Sequence, residues 1–109
     1  MQYGIRVKVL DRSSDAPVAN YTSAFTCGDP QDFATVMTFA KGCDAVTIDS
    51  EHVNADALVA LAAQGIIVAP FGAALKTIQN KCRQKEFYAA YDLPTAPFQI
   101  FASRDELAV

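Results

Sequence analysis

A chain of 109 residues is long enough for one small domain and too short for two. Hydrophobic residues make up 51% and charged residues 19%, which excludes a disordered tract. The formal net charge is −3 with no Lys/Arg cluster to offset it, which argues against nucleic acid and anionic membrane as partners.

The opening Met1-Gln2-Tyr3-Gly4-Ile5-Arg6 lacks the basic-then-apolar pattern of a signal peptide. Ile5-Arg6-Val7-Lys8-Val9-Leu10 alternates apolar and polar residues, the pattern of a strand with one face partly exposed. Asp11 to Pro17 is turn chemistry, and a short second strand is expected from Ser23 to Cys27. Gly28-Asp29-Pro30 then sets up a helix, with Asp29 as N-cap and Pro30 at the first helical position. Phe33, Val36, Met37 and Ala40 fall at helical spacing as a core stripe, and Gly42 ends the helix.

Asp44 to Val53 is the stretch around which the chain is organised. Val46 and Ile48 suit a covered strand, and the sequence then turns acidic and polar. In an extended chain Asp49 and Glu51 point to one side, Ser50 and His52 to the other. Alternating α/β chains bind ligands at the carboxyl ends of their parallel strands, so Asp49, Glu51 and His52 are candidate site residues. Against this stand a solvated or capping role for Glu51, an interior anchor for backbone N–H groups for Asp49, and a packed helix-entry role for the histidine. A lone histidine does not make a metal site. Asp11, at the end of the first strand, sits where dinucleotide folds place a ribose-binding acid, although a turn-forming role competes.

Asn54 is expected to cap a helix with Leu58, Leu61 and Ala62 on its core face, ended by Gly65. Ile66-Ile67-Val68-Ala69 has the continuous apolar character of a strand covered on both faces. Pro70-Phe71-Gly72 turns the chain into a short helix from Ala73 to Gln79. Asn80 caps the next helix, which runs to about Tyr91 with Phe87 and Tyr91 inward and stops at Asp92-Leu93-Pro94. Phe98 to Phe101 is expected to be a last strand. Ser103-Arg104-Asp105-Glu106 is a capping box that opens a helix close to the end of the sequence. From Ala57 to Leu75 no residue is charged, yet Gln64-Gly65 and Pro70-Phe71-Gly72 break the run well short of the roughly 20 residues a membrane span needs. The scattered Cys27, Cys43 and Cys82 form no metal motif. Their odd number points to a reducing, cytoplasmic compartment and to roles as small buried apolar residues.

Several segments together resemble a known family. Gly4-Ile5, Leu10-Asp11 and Ser14-Asp15-Ala16-Pro17 look like the second strand and following loop of 5-(carboxyamino)imidazole ribonucleotide synthase. Gly42 to Thr47 with Glu51-His52-Val53 is similar to that family's Thr-aromatic-Glu-x-Glu-His/Asn-Val motif. Leu75, Ile78-Gln79, Lys81, Gln84-Lys85 and Phe87 resemble the segment leading out of its first domain. Leu93 to Phe98 resembles the approach to its ATP-grasp domain.

The resemblance implies an α/β, Rossmann-like preATP-grasp domain with a mostly parallel sheet over residues 1–93, followed by a linker and the start of an ATP-grasp domain over 94–109. It implies a three-domain, usually dimeric ligase. That enzyme uses ATP, Mg²⁺ and bicarbonate to carboxylate 5-aminoimidazole ribonucleotide in purine biosynthesis. Glu51, His52, Asp49 and Asp11 would then serve the ribonucleotide and Lys81 the ATP, with the Mg²⁺ ligands outside this chain.

Two departures qualify it. The family's first strand and glycine-rich loop are missing, which leaves a gap in the sheet between the strands at Val7 and Ile48. The first glutamate of the strand motif is Asp49, one methylene shorter. The chain is therefore expected to be cut from something longer and inactive alone. The alternative is a stand-alone nucleotide-binding or protein-interaction module of marginal stability or oligomeric state. An enzyme piece would have Phe98 to Phe101 covered by a following domain; a module would leave it as a sticky edge.

Overall fold

A computed structural model describes residues 4–107. The elements in chain order are β1 (Val9–Asp11), a 3₁₀ turn (Pro17–Asn20), β2 (Phe25–Cys27), α1 (Phe33–Phe39), β3 (Ala45–Thr47), α2 (Ala55–Ala63), β4 (Ile67–Ala69), α3 (Gly72–Gln79), α4 (Lys81–Ala90) and α5 (Arg104–Leu107). The strands form two parallel pairs, β1 with β2 and β3 with β4. Val9 faces Phe25 in the first pair, and Ala45 faces Ile67 in the second. Among the described residues β1 and β3 do not pair with each other, so the sheet is divided where the gap was expected.

The core is small and aliphatic. Val36 and Ala40 of the α1 end, Ala55, Ala57, Leu58 and Leu61 of α2, Val68 of β4 and Leu75 of α3 are buried together. Leu10, Met37, Val46, Ile48, Val53 and Ile66 pack against them. α2 sits at the centre because three local signals agree. Asn54 Oδ1 accepts from the Ala57 N–H at 2.9 Å as N-cap. The 3–4 spacing of Leu58 and Leu61 directs one face inward. Gly65, at φ +88°, takes the left-handed position that lets the Ile66 N–H reach the Leu61 carbonyl and close the end. The same closure ends α4 on a non-glycine residue: Asp92 lies at φ 50°, and the Leu93 N–H reaches the Tyr88 carbonyl at 2.9 Å.

Several expectations are corrected. The first strand covers Val9–Asp11 and not Ile5 to Leu10, since Ile5 and Val7 are 76% and 59% exposed with no partner strand to order them. α1 is capped by Asp32, whose carboxylate accepts from the Thr35 N–H at 2.7 Å. Asp29 is instead held by Arg12 at 2.7 Å and by the Gln31 N–H. β4 is covered on one face only, with Val68 buried and Ile67 68% exposed. Ala62 and Phe33 are exposed. Phe87 and Tyr91 do not point inward but stack on each other at 4.5 Å on the surface. Cys27 and Cys82 are exposed and Cys43 is partly so, so none packs as a core residue.

Phe98 to Phe101 forms no strand, because no neighbouring strand lies there to pair with it. The segment after α4 is extended, which explains a radius of gyration of 17.5 Å where about 13 Å suits a compact domain of this length. Lys85 holds the start of that segment through Thr95 Oγ1 at 2.7 Å and lies over the Tyr88 and Phe98 rings. At α5 the Glu106 carboxylate reaches back to the Ala102 N–H and the Ser103 hydroxyl accepts from the Glu106 N–H, a capping box displaced by one residue. The expected continuation of that helix through Ala108 and Val109 lies outside the described residues, as do Met1 to Tyr3. No helix among the described residues is long and apolar enough to cross a membrane.

Candidate functional site

The chain leaves β3 at Thr47 and bends through Asp49 and Ser50. The Val53 N–H then donates to the Glu51 carbonyl at 2.9 Å, closing a three-residue γ-turn around His52. Two anchors hold this turn in place. The Asn54 N–H donates to the Pro30 carbonyl at 2.9 Å, and Asn54 Nδ2 donates to the Gln31 carbonyl at 3.0 Å. From the other side, Gln79 at the end of α3 donates from Nε2 to the carbonyls of both Glu51 and Val53, each at 2.7 Å.

Between these anchors lies an open cleft of about 540 Å³. Gln31, Glu51, His52, Val53, Asn54, Ala55, Asp56, Lys76, Ile78, Gln79 and Lys81 line it. It opens beyond the carboxyl end of β3, where parallel α/β folds keep their ligands. Its walls come from the start of α2 and the end of α3, tied across by Lys76 Nζ and the Asp56 carboxylate at 2.6 Å.

The cleft brings Glu51, His52 and Lys81 together. Because β3 ends at Thr47, the strand alternation does not extend to residues 49–52. Glu51 and His52, expected on opposite sides, share the cleft, and Asp49 is exposed and away from its lining. Asp11 does not line it either. Its carboxylate accepts from the Ser13 N–H at 2.8 Å, which is turn chemistry. Gln79 and Lys76 were not singled out as site residues. Their role depends on where α3 ends relative to a turn far upstream in the chain, which no local pattern encodes.

The electrostatics favour an ionised Glu51. Its own backbone N–H, then the neighbouring His52 and Lys81, hold its carboxyl below the usual glutamate range. The cleft thus presents a carboxylate, an imidazole and an ammonium group, a mixture suited to polar ligands with hydroxyl and anionic groups. Among the described residues no three carboxylate, imidazole or thiol groups converge as metal ligands.

A family model for the ribonucleotide synthetase preATP-grasp domain matches residues 1–79. The chain belongs to the ribonucleotide synthetase preATP-grasp family. It is 35% identical over 105 residues to the N5-carboxyaminoimidazole ribonucleotide synthase of Mycobacterium leprae, covering 96% of this chain and 24% of the relative. A crystal structure of N5-carboxyaminoimidazole ribonucleotide synthetase from Thermotoga maritima superposes with a TM-score of 0.82 at 26% identity, over 96% of this chain and 29% of that one. The carboxyaminoimidazole ribonucleotide synthase of Aspergillus clavatus, crystallised with ATP, gives 0.75 at 34% identity over 86% and 25%. The chain therefore spans about a quarter of the length of the relatives it matches. The α/β preATP-grasp fold expected from the sequence is the fold of this family.

Proposed function

We propose that this chain is the ribonucleotide-side domain of an ATP-dependent ligase that carboxylates 5-aminoimidazole ribonucleotide with bicarbonate in purine biosynthesis. The observation that carries the reading is the convergence of Glu51, His52 and Lys81 on one cleft of a preATP-grasp fold. Bicarbonate is a poor electrophile. Transfer of the γ-phosphoryl group of ATP to it gives carboxyphosphate and ADP. The exocyclic amine of the ribonucleotide then attacks the carboxyl carbon, phosphate leaves, and the amine loses a proton. Phosphoryl transfer of this kind is mostly positioning and charge neutralisation.

In this scheme the chain's own residues bind and orient. The Glu51 carboxylate accepts hydrogen bonds from the ribonucleotide, His52 offers a second polar contact, and the Lys81 ammonium meets the ATP at the domain junction. Asp49 and Asp11, outside the cleft lining, take at most peripheral contacts to the ribonucleotide. Mg²⁺ neutralises phosphate charge in such reactions, and its ligands are assigned to residues outside this chain. The domain runs over 1–93, with 94–109 the linker toward an ATP-grasp domain, in a cytoplasmic homodimer. Exposed Leu93, Phe98 and Ile100 favour this reading over a stand-alone module, since a following domain would cover them.

The test is calorimetric titration of the full chain with 5-aminoimidazole ribonucleotide. Saturable binding is expected, with Glu51→Gln weakening it about tenfold, the loss typical of one hydrogen bond to a charged group. Equal binding by wild type and Glu51→Gln would remove the carboxylate from the site, and no binding by the wild type would end the proposal.

A further inference from the structure

We infer that Gln79 is a positioning residue of the cleft, whose side-chain amide fixes the Glu51–His52–Val53 turn and so sets the direction in which Glu51 and His52 face the ligand. The inference deepens the function proposed above and rests on it only for the identity of the ligand.

A γ-turn is closed by one backbone hydrogen bond and would be loose by itself. Here the carbonyls at both ends of the turn are tied to one side chain. The primary amide of Gln79 carries two N–H donors on one nitrogen, and it spends one on the Glu51 carbonyl and one on the Val53 carbonyl, at 2.7 Å each. The Glu51 carbonyl consequently accepts twice, from Val53 and from Gln79. The amide acts from a fixed post. Gln79 is the last residue of α3, and Leu75 one turn earlier is 1% exposed in the core. A backbone turn bound at both carbonyls determines where its Cα–Cβ bonds point, and those bonds carry the carboxylate and imidazole that line the cleft. No other side chain has donors placed to bridge residues 51 and 53 in this way among the described residues.

Gln79→Met is the informative variant, because it keeps the length and volume of the side chain and removes both donors. Two measurements are made on the full chain: the affinity for 5-aminoimidazole ribonucleotide, and the Glu51 carboxyl titration followed by carbon NMR. The variant is expected to melt cooperatively, to bind about tenfold more weakly, as two exposed hydrogen bonds predict, and to show the Glu51 pKa rising toward the ordinary glutamate value. Unchanged affinity in a wild type that binds would overturn the role of Gln79 and leave the proposed function standing. Weaker binding with an unmoved Glu51 titration would also overturn it, since Gln79 would then touch the ligand directly. If the wild type does not bind the nucleotide, the proposed function falls. The Glu51 titration still decides Gln79: movement supports the positioning role and no movement ends it.

Discussion

Replacing Gly72 with alanine tests how tightly the two helices that wall the cleft are packed. Gly72 opens α3 and is buried against α2. A Cβ there would lie 2.9 Å from the Ala55 carbonyl oxygen, 2.9 Å from the Val59 nitrogen and 2.7 Å from Val59 Cγ2. The methyl of Val59 can turn aside, but the two backbone atoms cannot. Ordinary contact begins near 3.4 Å, so α3 must move off α2 by about 0.5 Å. Two terms oppose. Alanine gains up to about 1 kcal/mol over glycine in a helix interior, and less in a first turn. Overpacking of this kind costs about 1–3 kcal/mol. The cost wins, and a net loss of about 1–2 kcal/mol corresponds to roughly 4–16 °C in melting temperature for a domain of this size. Urea unfolding should show a lower midpoint with an unchanged slope. In a Val59→Ala background most of the loss should persist, because the Ala55 oxygen and the residue 59 nitrogen remain. A Gly72→Ala chain as stable as wild type would refute the close approach of the helices.

Two further predictions concern helix starts. Asn54→Ala removes both the cap on the Ala57 N–H and the link to the Gln31 carbonyl, and should cost about 1.5–2 kcal/mol. Asn54→Asp keeps the capping oxygen but loses the donor to the Gln31 carbonyl, and should lose about half of that; equal losses in urea melts would show that the cap contributes nothing. The second concerns acid stability. Asp32 is held below its usual range by the Thr35 hydroxyl and N–H, and Asp29 by the Gln31 N–H and Arg12. Folded values below unfolded ones mean that this stability is complete above the unfolded value and is lost as pH falls through the folded one. Stability should therefore decline below about pH 4. Asp32→Asn, which retains a capping oxygen, should flatten that decline, and an identical slope in the variant would sink the assignment.

The contrast among these helix starts explains what the sequence could reveal. Asn54 and Asn80 both cap the helices expected of them, because nothing else competes for their side-chain oxygens. Asp29 and Asp32 look equally fit to begin α1, and Pro30 favours the first. What decides is Arg12, seventeen residues upstream, which engages Asp29 and leaves Asp32 to cap. Strands fail for the same reason in a stronger form. Ile5 to Val7 and Phe98 to Phe101 have strand composition, but a strand exists only where another offers its backbone, and none does. Composition can show that a segment suits a sheet; it cannot supply the partner.

The site obeys this logic one level higher. That Glu51, His52 and Lys81 line one cleft was legible because short motifs place them near a strand end and a helix start, and those positions fall together in this fold. The expected pairing of Asp49 with Glu51 failed because it assumed that the strand continued past Thr47. What turns the chain there is the closure from Val53 to Glu51, reinforced by an amide arriving from α3. The residue that orients the turn is thus encoded twenty-eight residues beyond Glu51, on another helix. A side chain that contacts a ligand can be recognised by its chemistry, whereas one that holds a backbone turn is an ordinary glutamine until the helix carrying it is packed. In this fold the packing rests on Leu58, Leu61 and Leu75. Loosening that aliphatic core should accordingly disturb Glu51 through Gln79 before it disturbs the remote loop around Asp11, which is closed by its own Ser13 hydrogen bond.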